Sequence, residues 1–285
     1  MNSGWFRATA FGPEGATNTV VASVRRFVFP ANSPGALYLA NPAPTDATFQ
    51  GNAFSVSGND MNYTGGVGPG APVPGISTLT NTQEAINSLN STQEHDVTGL
   101  GYSSNPLIPS VMTTPGGPNP AQIDAMVTDL LALPGVITEG SGTINNSSSI
   151  PGWQIKNNDP APTPKITHFT GDATFKGNGN ITGQGILIVD GNLTLNGKIT
   201  FDGLIIVRGT TNFTSDTDVT GNATVYGSLW TTDLNMVVGG SAIIQYSTQA
   251  LALANQLNNG QNHVSKLVIN SMVDCAEVPA GTNNC

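Results

Sequence analysis

Three histidines and a scatter of aspartates are the residues whose types could do chemistry in this chain. None of His95, His168 and His263 stands in an HExxH motif, at zinc-finger spacing or in a Cys/His cluster, so they predict no zinc site. No GxSxG elbow and no P-loop occur. The stretch Gly177-Asn-Gly-Asn-Ile-Thr-Gly imitates a phosphate-cradling loop but reads better as the corners of a repeat. Clustered acids on one face of a β-structure can cleave polysaccharides. The candidates are Asp172, Asp190, Asp202, Asp216, Asp218 and Asp233. Asp190, Asp202 and Asp216 fall at different places in the repeat. Asp216 and Asp218 share an outward face, with Lys198/Thr200 and Leu234/Met236 one turn away. On this reading no acid stacks over an acid on a wet face, and no Arg or Lys is stacked beside one. A calcium ion at Asp216/Asp218 would need roughly six to eight oxygens, which two carboxylates do not supply. The expectation is therefore no catalytic residue, no cofactor and no metal, and a protein that is not an enzyme.

What must position these residues is a repeat. Ten six-residue blocks start at Gly185, from GILIVD to GSAIIQ, with one extra glycine at Gly239. Gly185, Gly203, Gly221 and Gly239 are 18 residues apart. Counted from each glycine, position 5 holds Val189, Leu195, Phe201, Val207, Phe213, Val219, Val225 and Val237, with Thr231 the exception. Position 3 holds Leu187, Leu193, Ile199, Ile205, Ala223 and Leu229, with Thr211, Thr217 and Asn235 as polar entries. A spacing of two puts both positions on one face of a short strand. Three hexads make one turn of a triangular β-helix whose corners suit glycine. The pairs Ile186/Ile188 and Leu204/Ile206 are apolar where the pattern expects solvent. A strand apolar on both faces is covered on both faces, so the N-terminal half should roof this side. Phe169, Phe175 and Ile181 extend the inward file back to about Ile166.

The spacing thus predicts a mainly β fold. A three-sided β-helix of 18 residues per turn spans 166–247, with a smaller α+β N-terminal region (1–140) packed on one side. A Gly/Ser/Pro-rich connection (141–165) and a C-terminal helical cap and disulfide tail (248–285) complete it. Trp5–Ala10 and Asn18–Val28 read as a hairpin. Thr82–Leu89 reads as a short helix, and Pro120–Leu133 as a longer one capped by Asn119. Thr248–Leu257 has helical spacing and would plug the open end of the coil. Trp230 stands at an outward position, either as an interface anchor or packed under the C-terminal tail.

Composition narrows the partners. Of 285 residues only 9% are charged, and the net charge is −9 with no basic patch, which disfavours nucleic acid and anionic membrane surfaces. No run of about 20 apolar residues occurs. Cys275 and Cys285 suggest an exported protein with one disulfide, the alternative being two free thiols in the tail. Broken Thr ranks argue against an ice-binding ladder, and two inward positions per hexad without a loop excursion argue against a hexapeptide acyltransferase.

The runs RATAFGPEGATNTVVASVRR, FSVSGND, GILIVDGNLTLNGKITFDGLIIVRG and YSTQALALA together resemble bacterial type IV pilus assembly accessory proteins of minor-pilin-like type. The hexads alone also resemble bactofilins, and that likeness implies a right-handed coil. The resemblance implies a non-enzymatic protein at the cell surface or outside the cell, with pilus or other surface proteins as partners. The family's N-terminal hydrophobic helix is missing here, so membrane attachment would run only through an upstream segment. Two other readings stay open: a carbohydrate-binding or polysaccharide-cleaving β-helix, and a bactofilin-like self-polymer.

Overall fold

The computed structural model describes residues 2–26, 33–41, 47–51, 53–114, 116–214, 222–237, 241–259 and 267–275. In chain order the first strands are β1 (Asn2–Phe11), β2 (Thr17–Arg26), β3 (Leu37–Leu39), β4 (Ala47–Gln50), β5 (Phe54–Ser57), β6 (Ile76–Thr78), β7 (Val97–Thr98), β8 (Ser103–Ser104), β9 (Leu107–Ile108) and β10 (Val111–Thr113). The later ones are β11 (Ile137–Glu139), β12 (Gly142–Ile144), β13 (Lys165–Phe169), β14 (Ala173–Val189), β15 (Leu193–Val207), β16 (Thr210–Thr214), β17 (Asn222–Thr231), β18 (Asp233–Val237), β19 (Ser241–Tyr246) and β20 (Leu267–Asp274). The helices are α1 (Gln83–Asn87), α2 (Pro120–Leu131) and α3 (Thr248–Asn259).

The chain divides into two compact units, residues 1–30 with 258–285, and residues 31–257. In the first, β1 and β2 form the expected antiparallel hairpin, and β20 pairs antiparallel with β2. The hairpin therefore joins the C-terminal strand, where the sequence had placed it in one region with residues up to 140.

The second unit is built on a fifteen-stranded, parallel-paired sheet that curls into a half-barrel. Its longest path runs β10-β6-β3-β17-β15-β14-β13-β11. The two inward files hold: Leu187, Ile205 and Leu229 share one register column, Val189 and Val207 the next, and all five are buried. β15 displays both kinds of side. Its first half alternates buried with partly exposed residues, whereas Phe201–Val207 is buried throughout. That switch follows the sequence, which turns from Leu-Thr-Leu-Asn to Leu-Ile-Ile-Val.

The period differs from the expected one. Gly185 pairs with Gly203, 18 residues on, but Gly203 pairs with Gly227, 24 residues on. The step is longer by one hexad's length, and residues 215–221 within it lie outside the described residues. The column is therefore Gly185–Gly203–Gly227, not Gly185–Gly203–Gly221–Gly239. Gly203 shows why the corner is glycine: its φ is +145°, and a Cβ would collide with the carbonyl oxygen of Gly185.

The N-terminal half also departs from expectation. Instead of lying only on one side, its strands extend the sheet: β3 pairs with β17, β4 with β18 and β5 with β19. β6 then follows β3, β10 follows β6, and β7 follows β5. The last hexads thus find their edge partners in the first hundred residues, and among the described residues the sheet ends on β10, β4 and β7 instead. At the other end the sheet begins at β11, at the end of the region read as N-terminal, and β12, inside the stretch read as a connection.

α2 starts as read: the Asn119 side chain accepts from Gln122 N, Gln122 returns the bond, and Pro120 occupies the first turn. It lies between β10 and β11, the two ends of the path, which seven strand spacings put about 33 Å apart. α2 therefore belongs to the return crossing over the doubly buried side, so the N-terminal half does supply the roof, as a helix.

α3 is not an end plug. Its first residue is tied to Asp60, whose Oδ1 accepts from Thr248 N at 2.8 Å and whose Oδ2 accepts from Thr248 Oγ1 at 2.7 Å. Near its other end, Leu257 Cδ1 lies 2.9 Å from where a Cβ would stand on Gly185. Strand pairing places the Asp60 segment beside β19 and Gly185 three steps below β19, so the helix runs along the stack as a brace.

One aromatic does fill the inside of the curl. Trp153 stacks on Phe175 at 5.1 Å, lies 5.5 Å from Phe201, and donates from Nε1 to Thr167 Oγ1 at 2.9 Å. It enters where Gly183 leaves room, since a Cβ there would stand 2.5 Å from the indole. Leu187, Leu195, Ile199, Phe201 and Ile205 meet Trp153 around a void of only about 10 Å³, roughly one water's space.

Candidate functional site

Among the described residues, His168, Asp190, Arg208 and Asp124 form a linked constellation on the doubly buried side, at the corner that ends β14 and β15. Asp190 is the residue after β14, and its N–H donates to Phe169 O. Arg208 is the residue after β15, and its N–H donates to Val189 O. Because this step of the ladder is 18 residues, Arg208 stacks on Asp190, and Nη1 donates to Oδ1 at 3.1 Å. His168 on β13 approaches the other carboxylate oxygen, with Nε2 2.8 Å from Oδ2. Asp124 on α2 closes the chain of charges, its Oδ1 2.9 Å from Arg208 Nη2.

Burial alone would raise the Asp190 carboxyl, but the hydrogen bonds and charges of His168 and Arg208 together hold it below its ordinary value. Asp190 is therefore a committed anion. Its two oxygens face His168 and Arg208, and Arg208 divides its guanidinium between two carboxylates. The arrangement ties α2 to the sheet.

A cavity of about 190 Å³ opens beside this tie, with Pro120, Ile123, Asp124, Ile206, Arg208 and Trp230 among its lining. It falls below the roughly 300–1,000 Å³ of small-molecule pockets. His168 and Asp190, the pair suited to proton transfer, do not line it. A general acid or base must reach the proton it moves, and this pair has no opening to a substrate there.

The other candidate acids are dispersed. Asp172 Oδ1 accepts from Asn192 N at 2.7 Å, and Asn192 Oδ1 in turn accepts from Thr210 N at 2.9 Å, so both are corner staples between successive passes. Asp202 is 5% exposed, and burial pushes its carboxyl up to about 6 against the hydrogen bond from Gln184, which pulls it down. Asp233 faces Asn41 Nδ2 at 3.4 Å. His95 is exposed. Asp216, Asp218 and His263 lie outside the described residues. So does Cys285, and with it the Cys275–Cys285 pairing. Among the described residues no group of three or more His, Cys, Asp and Glu gathers as a metal cage.

Trp230 is corrected from an outward aromatic to a buried one. It is 1% exposed, its Nε1 donates to Ser33 Oγ at 2.8 Å and Ser228 Oγ at 3.0 Å, and its ring meets Tyr38 edge-on at 5.9 Å. Ser33 and Tyr38 belong to the N-terminal extension of the sheet, which the hexad pattern could not foresee. The stacking of Arg208 on Asp190 is a second correction, because no basic residue was expected beside an acid. The signal was present in their 18-residue spacing and their shared sixth position. No protein-family model matches the chain, and neither a curated protein nor a solved structure matches it significantly.

Proposed function

We propose that the curled sheet closes into a three-sided parallel β-helix and serves as a rigid, non-catalytic scaffold. In this reading the protein is exported to a bacterial cell surface, where it acts as a pilus-associated accessory or minor-pilin-like ectodomain. The observation that carries the reading is the uninterrupted parallel ladder from β11 to β10. Such a ladder resists bending, because every strand is bonded to a neighbour through the backbone. Two features add support. Side chains from successive hexads converge on Trp153, as the walls of a closed coil would. The charged constellation is spent on holding α2, and its proton-transfer pair does not face the neighbouring cavity.

The test is genetic. Deleting the coding sequence in its native bacterium should remove or shorten surface filaments seen by electron microscopy. The chain should be recovered in the surface or secreted fraction. Re-expression of Asp190→Asn should restore filaments, because a scaffold needs the fold and not the chemistry of the pair. Filaments unaffected by deletion, retention of the chain inside the cell, or a folded Asp190→Asn protein that fails to complement would overturn the proposal.

A further inference from the structure

Among the described residues, one strand edge of the smaller unit has no partner. β1 and β2 pair over ten residues, but β20 supports only Val20–Arg26 of β2. The tip of the hairpin is thus a two-stranded ribbon. Every residue from Phe6 to Asn18 is exposed, with Phe6 at 58% and Phe11 at 81%. Among the described residues no strand pairs with the outer edge of β1. Two-stranded ribbons are marginal in water, and a third strand or a packed face is needed for independent stability. An open edge offers its unpaired N–H and C=O groups to another strand. β1 has none of the usual protections: no Pro, no Lys, no inward charge, and Arg7 as its single charged residue.

We infer that β1 is the docking edge for β1 of a second copy, paired antiparallel about a two-fold axis. Length favours this occupant, since β1 is the longest strand with an open edge in this unit. Charge favours it as well. Across residues 2–26 and 267–274, Arg7, Arg25 and Arg26 stand against Glu14 and Asp274, a net of +1 in a chain of −9. Two such sheets meet with little repulsion, whereas most other surfaces of two copies would bring acid to acid.

The symmetry fixes the register. Directly opposed residues of an antiparallel pair point to the same face. A two-fold axis normal to the sheet keeps each residue on its own face, so the axis must pass through a residue facing itself. Only centres at Phe6 or Arg7 keep nearly the whole strand paired. Centring on Arg7 sets like charges opposite each other, which is destabilising. Centring on Phe6 sets Phe6 against Phe6, Gly4 against Ala8 and Asn2 against Ala10. The result is a six-stranded sheet continuous across the dimer.

Sedimentation velocity of the full chain over a concentration series should show a dimer that Phe6→Glu returns to monomer. The far-UV circular dichroism spectrum should stay unchanged, because Phe6 is exposed in the single chain, while the melting temperature should lose its dependence on protein concentration. Phe6→Cys should cross-link to itself under mild oxidation, since opposed Cα atoms about 4.5–5.5 Å apart suit a disulfide. Phe11→Cys should not, its copies lying about 34 Å apart along the paired strands. A wild-type chain monomeric at every concentration, a dimer indifferent to Phe6→Glu, or cross-linking as efficient through Phe11→Cys would overturn the inference. These outcomes are independent of whether the larger unit is a surface scaffold.

Discussion

Two aspartates one hexad apart in register do opposite things to stability. Asp190 is held below its ordinary value despite its burial, by His168 and Arg208. A depressed carboxyl contributes stability that is present above its unfolded value and lost as pH falls through its folded one. Asp190→Asn should therefore cost about 1–3 kcal/mol at neutral pH, and its thermal melts should flatten on the acid side. Asp202 is raised to about 6. Its folded form holds the proton more tightly than the unfolded form, so its contribution declines between about pH 4 and 6 and stays low above. Asp202→Asn keeps an acceptor for Gln184 without a buried charge. It should stabilise the protein by about 1–2 kcal/mol at pH 8 and by almost nothing at pH 4. Melting temperature against pH for both variants checks the signs together. The Arg208–Asp124 pair is half-exposed on both sides, so a double-mutant cycle should return less than about 1 kcal/mol.

At the scale of elements, the buried indole of Trp153 and the α3 brace are the parts to break. Trp153→Ala should cost about 3–5 kcal/mol, as large aromatic deletions in cores do. Gly183→Leu should be as damaging, because its side chain occupies the space of the indole. The double variant should recover part of the loss, and denaturant unfolding of the four proteins measures that coupling. Asp60→Ala removes three acceptor contacts, from Gly70 N, Thr248 N and Thr248 Oγ1. It should expose the α3 segment to limited proteolysis while leaving the hexad strands protected. Much of this element inventory was legible beforehand. The inward files, the hairpin, the capped α2 and the start of α3 follow from periodicity and caps, which are local. What could not be read locally is pairing at a distance: a strand of three residues such as Leu37–Leu39 has no period, and Trp153 sits in a stretch without hexads. The candidate site was half legible for the same reason. Asp190 and Arg208 share the repeat, while His168 lies before the regular blocks and Asp124 comes from a helix elsewhere.

At the scale of the whole molecule, the larger unit is a stack whose spatial order is not its chain order. β11 through β19 build it upward, β3 to β10 finish it, and the segment bearing α2 leads back to the start. Leu37 pairs with Leu229, 192 positions later. In refolding, pulse-labelled hydrogen exchange should therefore find Leu37–Leu39 amides protected no earlier than those of β17. Earlier protection of β3 would contradict the templated order. The same arrangement sets a timetable for synthesis. The first hundred residues leave the ribosome long before the strands that receive them exist, so they are among the first made and among the last placed. During that interval their strand edges stay without the partners the finished stack gives them.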